Sequence, residues 1–374
     1  MKFAGPIVGM PFSMEGFAFF IEAIFLGLYL YGWKRLSPVA HWLTTIPLAI
    51  SGAASGIFVT AVNAWTNSPA GFKMVDGKPT EINPLQAMLN PAWGSEALHS
   101  TLASYVAVGF AVAAVYAVGL MRGKRNEYNK RGMALGLLLG IIMIPLQMLS
   151  GDLSARHVSE YQPAKLAAME GQFETQNCAP LHIGGIPDTT TKTTSWAIEI
   201  PCGLSILAQH DPNATIKGLN DFPVGETPNP LIVHTAFLLM VGSGMALFGL
   251  AAWVVFLYWR KRRIPEGRWL LWAVALCGPL GFVAIEAGWT VTEVGRQPWI
   301  VYNLFKTADS VTPTPGLLPI FIGFTVLYAM LAVMVIWLLR RLSRVRPEDQ
   351  DDNQPPTSGP TEAEALEEKI YVIA

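Results

Sequence analysis

Seven stretches of this 374-residue chain are apolar for long enough to cross a hydrocarbon core about 30 Å thick, a distance that takes about 20 helical residues. They cover about residues 10 to 32, 42 to 65, 95 to 121, 132 to 150, 231 to 259, 268 to 288 and 318 to 340. In lipid the backbone must satisfy its own hydrogen bonds, so each stretch is expected to be a helix. The fold class is therefore all-α, a polytopic membrane bundle of seven transmembrane helices. With 52% hydrophobic and only 14% charged residues, against about 25% charged in soluble domains, the chain is not a soluble enzyme, and nucleic acid is not expected as a partner. Three cysteines, Cys178, Cys202 and Cys277, form neither a metal-binding spacing nor a disulfide framework, and a single Cys178 to Cys202 bridge stays open.

The spans divide the chain into a four-helix segment (1–150), a long loop rich in Thr, Pro and Asn (151–230), a three-helix segment (231–345) and a tail (346–374) expected to be disordered and acidic. A connection as long as 151–230 is expected to be functional. Lys and Arg cluster in 33–35, 122–131, 260–268 and 340–346, which are alternate connections plus the tail. The positive-inside rule puts those in the cytoplasm and the N-terminus, 66–94, 151–230 and 289–317 outside. The first helix begins about ten residues in, with no signal segment before it, so either its short tail is translocated or something upstream is missing.

An ionisable residue in a spanning helix costs about 2.5 to 3.5 kcal/mol on insertion scales, which makes each one a functional candidate. Glu15 and Glu22 stand seven residues apart on the first helix. They share a face to within about 20° and lie about 10 Å apart in depth. A vertical carboxylate pair suits proton relay; helix packing is the bland alternative. His99 opens the third helix among the small residues Ser100, Thr101, Ala103 and Ser104. Met240 on the fifth is followed by Gly242, Ser243 and Gly244, again leaving backbone open to a flat macrocycle. A His/Met pair is a known low-spin haem ligation. His234, one to two turns nearer the surface, competes for that role. Glu286 near the outer end of the sixth helix, followed by Arg296 and Trp299, suits metal ligation, proton uptake or pairing with an arginine.

The long loop begins SGDLSARHVSEYQPAKLAAMEGQFET, with Asp152, Arg156, Lys165, Glu170 and Glu174 among apolar residues. Its AKLAAMEGQF stretch reads as a short amphipathic helix at the surface. Lys165 and Glu170 then suit a polar headgroup whose tail stays in lipid, against the plainer reading of a solvated surface helix.

MEGFAFFIEAIFLGLYLYGWKRL, GDLSARHVSEYQPAKLAAMEG, and EAGW with GRQPW together resemble subunit I of the cytochrome bd-type quinol oxidases, over about residues 5 to 345. The resemblance implies oxidation of quinol at the outer face and reduction of dioxygen to water with cytoplasmic protons. It implies a low-spin haem b, a high-spin haem b, and a haem d or third haem b. By it, the low-spin ligands fall on His99 and Met240, a high-spin carboxylate ligand on Glu286, and Glu15 beside the dioxygen-reducing haem. Glu22 falls on the proton path, and Lys165 and Glu170 on the quinol loop, which lacks the long insertion of some relatives. The implied setting is the bacterial inner membrane, with the N-terminus outside and the C-terminus cytoplasmic. The implied partner is oxidase subunit II, and a small single-helix subunit stays open.

Three departures from the resemblance matter. The family normally begins with two further helices, the first contributing a histidine ligand, so Met1 is expected to be an internal methionine of a longer protein. Leu238 replaces a frequent arginine two positions before the ligating methionine, which is expected to lower the haem potential or shift the propionate anchor. Lys34 replaces an acidic residue at the cytoplasmic end of the first helix and puts the mouth of the proton route in doubt. The rivals are a truncated, non-catalytic b-haem membrane protein and a proton-coupled transporter, although no internal repeat supports the latter.

Overall fold

The computed structural model describes residues 4–262, 266–311 and 314–342. The expected tail 346–374 lies outside the described residues, as do Met1 and parts of the last two basic clusters.

All seven expected spans form helices. In chain order the helices are α1 (Gly5–Tyr31), α2 (Pro38–Asn67), α3 (Pro84–Met88), α4 (Trp93–Met121), α5 (Glu127–Tyr161), α6 (Pro163–Glu170), α7 (Gly203–Gln209), α8 (Pro230–Lys261), α9 (Arg268–Cys277), α10 (Leu280–Val294) and α11 (Leu317–Leu342). Their starts follow local chemistry. Ser37 and Asn229 cap α2 and α8 through side-chain oxygens, with Pro38 and Pro230 in the next position, where a missing N–H costs nothing. Asn126 caps α5 in the same way. The sixth span is two helices, broken at Gly278 and Pro279 where its backbone meets α4: a Cβ on Gly278 would stand 2.3 Å from that of Ala114.

Residues 4–310 and 311–342 fall into two units. In the first, α4 and α5 approach most closely. A Cβ on Gly109 would lie 2.7 Å from the Gly140 nitrogen, and one on Gly136 would lie 2.6 Å from that of Ala113. Small residues let the two backbones touch, the usual basis of helix association in lipid. Phe110, Met133 and Leu137 fill the seam with Leu247 of α8 and Leu270 of α9. In the second unit α11 is exposed at every position from 317 to 341, with Arg340 and Arg341 in its last turn.

Two findings change the expected loop. α5 runs 35 residues, through the polar sequence SGDLSARHVSEY, so residues 151–161 of the expected loop continue the helix. Hydropathy marks the edge of the apolar core, and a helix needs no apolar residues to continue past it. Beyond α6, short antiparallel pairs form between β1 (Gln176–Asn177) and β6 (Thr215–Ile216), β2 (Leu181–Ile183) and β5 (Ile198–Ile200), and β3 (Ile186–Asp188) and β4 (Thr193–Ser195). The Cys178–Cys202 disulfide ties this segment together, and Cys277 is free.

Candidate functional site

A polar cluster buried in the bundle gathers around Asn67, the last residue of α2. Its Oδ1 accepts from Lys165 Nζ at 2.9 Å, Gln162 Nε2 at 3.2 Å and Arg296 Nη1 at 3.3 Å. Its Nδ2 donates to Glu96 Oε1 on α4 at 3.0 Å. Arg296 also donates to Thr66 Oγ1 and to Glu293 Oε2, each at 2.6 Å, and Asn63 Nδ2 donates to Glu293 Oε1 at 2.5 Å. Ends of α2, α4, α6 and α10 are thus joined through side chains alone. The stem of Lys165 crosses Gly295, where a Cβ would stand 3.0 Å from its Cγ. Sequence reasoning found Lys165 but missed Asn63, Asn67, Glu96 and Glu293. An Asn at a helix end reads as a cap, and Glu96 lies in the first turn of its helix, where acids are common.

The α6 helix is not at the surface. Every residue from Ala164 to Phe173 is buried, Lys165 being 4% and Glu170 5% exposed. Ala167, Ala168 and Met169 sit with Val233 and Ala236 of α8 and Val291 of α10, so the face read as solvated is covered by the spans. Lys165 and Glu170 stand five residues apart, about 140° around the helix, and so meet different surroundings. Burial pulls the Lys165 ammonium down to about 7 against the opposing charge of Glu96. Burial alone pushes the Glu170 carboxyl up to about 8; among the described residues it has no side-chain partner. Desolvation also lowers Arg296 from its ordinary value, opposed by Glu293 and Glu96. Asp152 and Arg156 pair with each other on α5, and Glu174 is exposed.

A second group surrounds His99 on α4. Its Nδ1 lies 3.1 Å from Ser150 Oγ, and its Nε2 lies 3.1 Å from Gln147 Nε2, both on α5. The Oε1 of Gln147 is buried and unpartnered. On α8, Met240 presents Sδ to Gly288 of α10, where a Cβ would stand 3.2 Å from the sulfur; beside Gly242 and Gly244 there is open space. α10 is in contact with both α4 and α8. His234, the rival ligand, is fully buried, with Nδ1 2.7 Å from the Met169 carbonyl and Nε2 3.0 Å from that of Gly184. Both ring nitrogens meet backbone carbonyls, so His234 ties α8 to α6 and the loop, whereas the Nε2 partner of His99 is a side-chain amide.

The remaining candidates stand apart. Glu15 and Glu22 are half-buried on α1, and Glu22 faces Gly52 of α2, its Oε1 3.5 Å from where a Cβ would be. Glu286 is exposed on α10 and its side chain has no partner among the described residues. Glu293, seven residues on and nearly in line with it, is the carboxylate held by Asn63 and Arg296. No group of three or more His, Cys, Asp or Glu side chains that could hold a metal ion exists among the described residues. An axial haem pair needs only one donor from each side.

The family model for cytochrome bd terminal oxidase subunit I matches residues 1–347. The chain is similar to the cytochrome bd ubiquinol oxidase subunit 1 of Bacillus subtilis (strain 168), 30% identical over 375 residues, covering 96% of this chain and 80% of that one. It is also similar to the cytochrome bd-II ubiquinol oxidase subunit 1 of Escherichia coli (strain K12), 28% identical over 424 residues, covering 95% and 82%. Among solved structures, that of bd oxidase from Geobacillus thermodenitrificans matches with a TM-score of 0.85 and 39% identity, over 93% of this chain and 80% of that one.

Proposed function

The chain belongs to the cytochrome bd terminal oxidase subunit I family, and from that premise we propose that it is the haem-bearing subunit of a quinol:dioxygen oxidoreductase in the bacterial inner membrane, working with a membrane subunit II. The observation that carries this reading is the match along residues 1–347, which takes in every candidate residue named above.

The low-spin haem b site falls between His99 and Met240. The residues suit it. Ser150 fixes the His99 ring through Nδ1, the outer-sphere bond that ligating histidines generally make. The unpartnered Gln147 Oε1 and the open space beside Gly242 and Gly244 suit a macrocycle between α4 and α8. When bound, the haems supply one-electron transfer and the reduction of dioxygen, the third being haem d or b. The family resemblance gives a high-spin carboxylate ligand to Glu286. Among the described residues the Glu286 side chain has no partner, whereas Asn63 and Arg296 take both oxygens of Glu293, which supports Glu286 in that role.

For quinol, Lys165 donates a hydrogen bond from Nζ to a headgroup oxygen, and Glu170 accepts the hydroxyl proton at its carboxylate. Each quinol yields two electrons and two protons, so two are consumed per dioxygen. Protons for water come from the cytoplasmic side past Glu22 and Glu15. The N-terminus of this chain and the segment 151–230 lie outside and the C-terminus inside. The basic clusters support this orientation, and so does the Cys178–Cys202 bridge, since disulfides persist in oxidising compartments. Membranes carrying this chain with a subunit II should show b-type haem bands and consume dioxygen with added quinol. Haem-free membranes would defeat the reading.

A further inference from the structure

Asn67 stands between two buried cations and two carboxylates. On one side Lys165 and Arg296 converge on its Oδ1; on the other its Nδ2 reaches Glu96, and Glu293 holds the far side of Arg296. Lys165 has a long flexible stem and only 4% exposure, so its ammonium must find an acceptor among its neighbours. Among the described residues, the one hydrogen bond its Nζ makes is to Asn67. Without that amide, the ammonium would be drawn onto Glu96, a direct ion pair that takes it out of reach of another donor or acceptor. Glu96 lies one turn before His99 on α4, so the same amide also ties α6 to the helix that carries the haem ligand.

We propose that Asn67 is a positioning residue for quinol oxidation: its side-chain oxygen holds the Lys165 ammonium ready for the headgroup, and its nitrogen anchors that oxygen to Glu96. The inference rests on the reading of Lys165 as a headgroup-binding residue.

The test uses the full chain assembled with its partner subunit in membranes, with duroquinol as donor. KM, kcat and haem content by pyridine haemochromogen are measured for Asn67→Leu, Lys165→Met, the double variant and Asn67→Asp. Losing one charge-assisted hydrogen bond should raise KM in Asn67→Leu on the order of tenfold, with haem content kept. The double variant should match Lys165→Met alone, because Asn67 acts through Lys165. Asn67→Asp pairs its charge with the ammonium and loses the Nδ2 donor to Glu96, so it should raise KM as the leucine variant does. Should the leucine variant not accumulate, Asn67→Ser, smaller and with room for water, carries the same comparison. An unchanged KM in Asn67→Leu, or effects that multiply in the double variant, overturns the inference while the quinol-site reading stands. An unchanged KM in Lys165→Met overturns both.

Discussion

The Nδ1 atom of His99 lies 3.1 Å from Ser150 Oγ, and that hydroxyl donates in turn to the Gln147 carbonyl at 2.8 Å. The chain of bonds assigns the ring proton to Nδ1 and leaves the lone pair on Nε2, the nitrogen that faces the Gln147 amide. An imidazole held in this way is prepared for an axial bond through Nε2.

His99→Ala is therefore expected to abolish the low-spin b absorption and quinol oxidation together. Ser150→Ala should keep the haem and shift its midpoint potential, since it removes only the outer bond. Reduced-minus-oxidised difference spectra read both, and low-spin bands that survive in His99→Ala would remove His99 as ligand.

The raised carboxyl of Glu170 gives a pH signature. With its value at about 8, it holds a proton through neutral pH and becomes an acceptor only above that. Quinol oxidation limited by this step should climb between about pH 7 and 9, and Glu170→Gln should flatten the climb. The same group also makes stability depend on pH. Its folded value lies above the ordinary 4.5, so the folded state binds the extra proton between the two values. The stability it contributes is full below about 4.5 and is lost as pH rises through about 8. Thermal unfolding in detergent should show that loss in the parent and not in Glu170→Gln.

Glu286 and Glu293 can be told apart by replacing each with Gln. Because both oxygens of Glu293 are taken by Asn63 and Arg296, the larger loss of high-spin haem is expected in Glu286→Gln, measured by haem stoichiometry. Loss confined to Glu293→Gln would move the role to Glu293.

The bridge between Cys178 and Cys202 spans a sequence separation of 24. Replacing both with Ser should cost about 3 kcal/mol by loop closure. The damage should centre on the segment, because the α4–α5 seam does not use it. Limited proteolysis should cut between 171 and 218 in the variant while the spans stay protected. Cleavage at the parental rate would refute a stabilising role.

The membrane bundle was legible because apolar runs of bilayer length leave the backbone one solution. His99 and Met240 stand out in the sequence as chemically unusual residues beside small ones, and their helices α4 and α8 both touch α10. The burial of α6 was not: AKLAAMEGQF has the small and charged residues of a surface helix, and only the approach of α8 and α10 decides which side is covered. The role of Asn67 was hidden for a related reason. Among the described residues, the six hydrogen bonds of its side chain run to Lys165, Gln162, Arg296, Glu96 and Asn63, most of them distant in sequence, and no local pattern announces such convergence.

Helix α5 has 35 residues and so reaches about 52 Å, well beyond the hydrocarbon thickness. It presents Gln147 and Ser150 to His99 at one level and delivers Gln162, at its far end, to Asn67. One continuous rod therefore acts as a ruler between the level of His99 and the start of α6. A bilayer that thins or swells slides along this ruler without changing its gradations, so the spacing between the two clusters should be the same in membranes of different lipid composition.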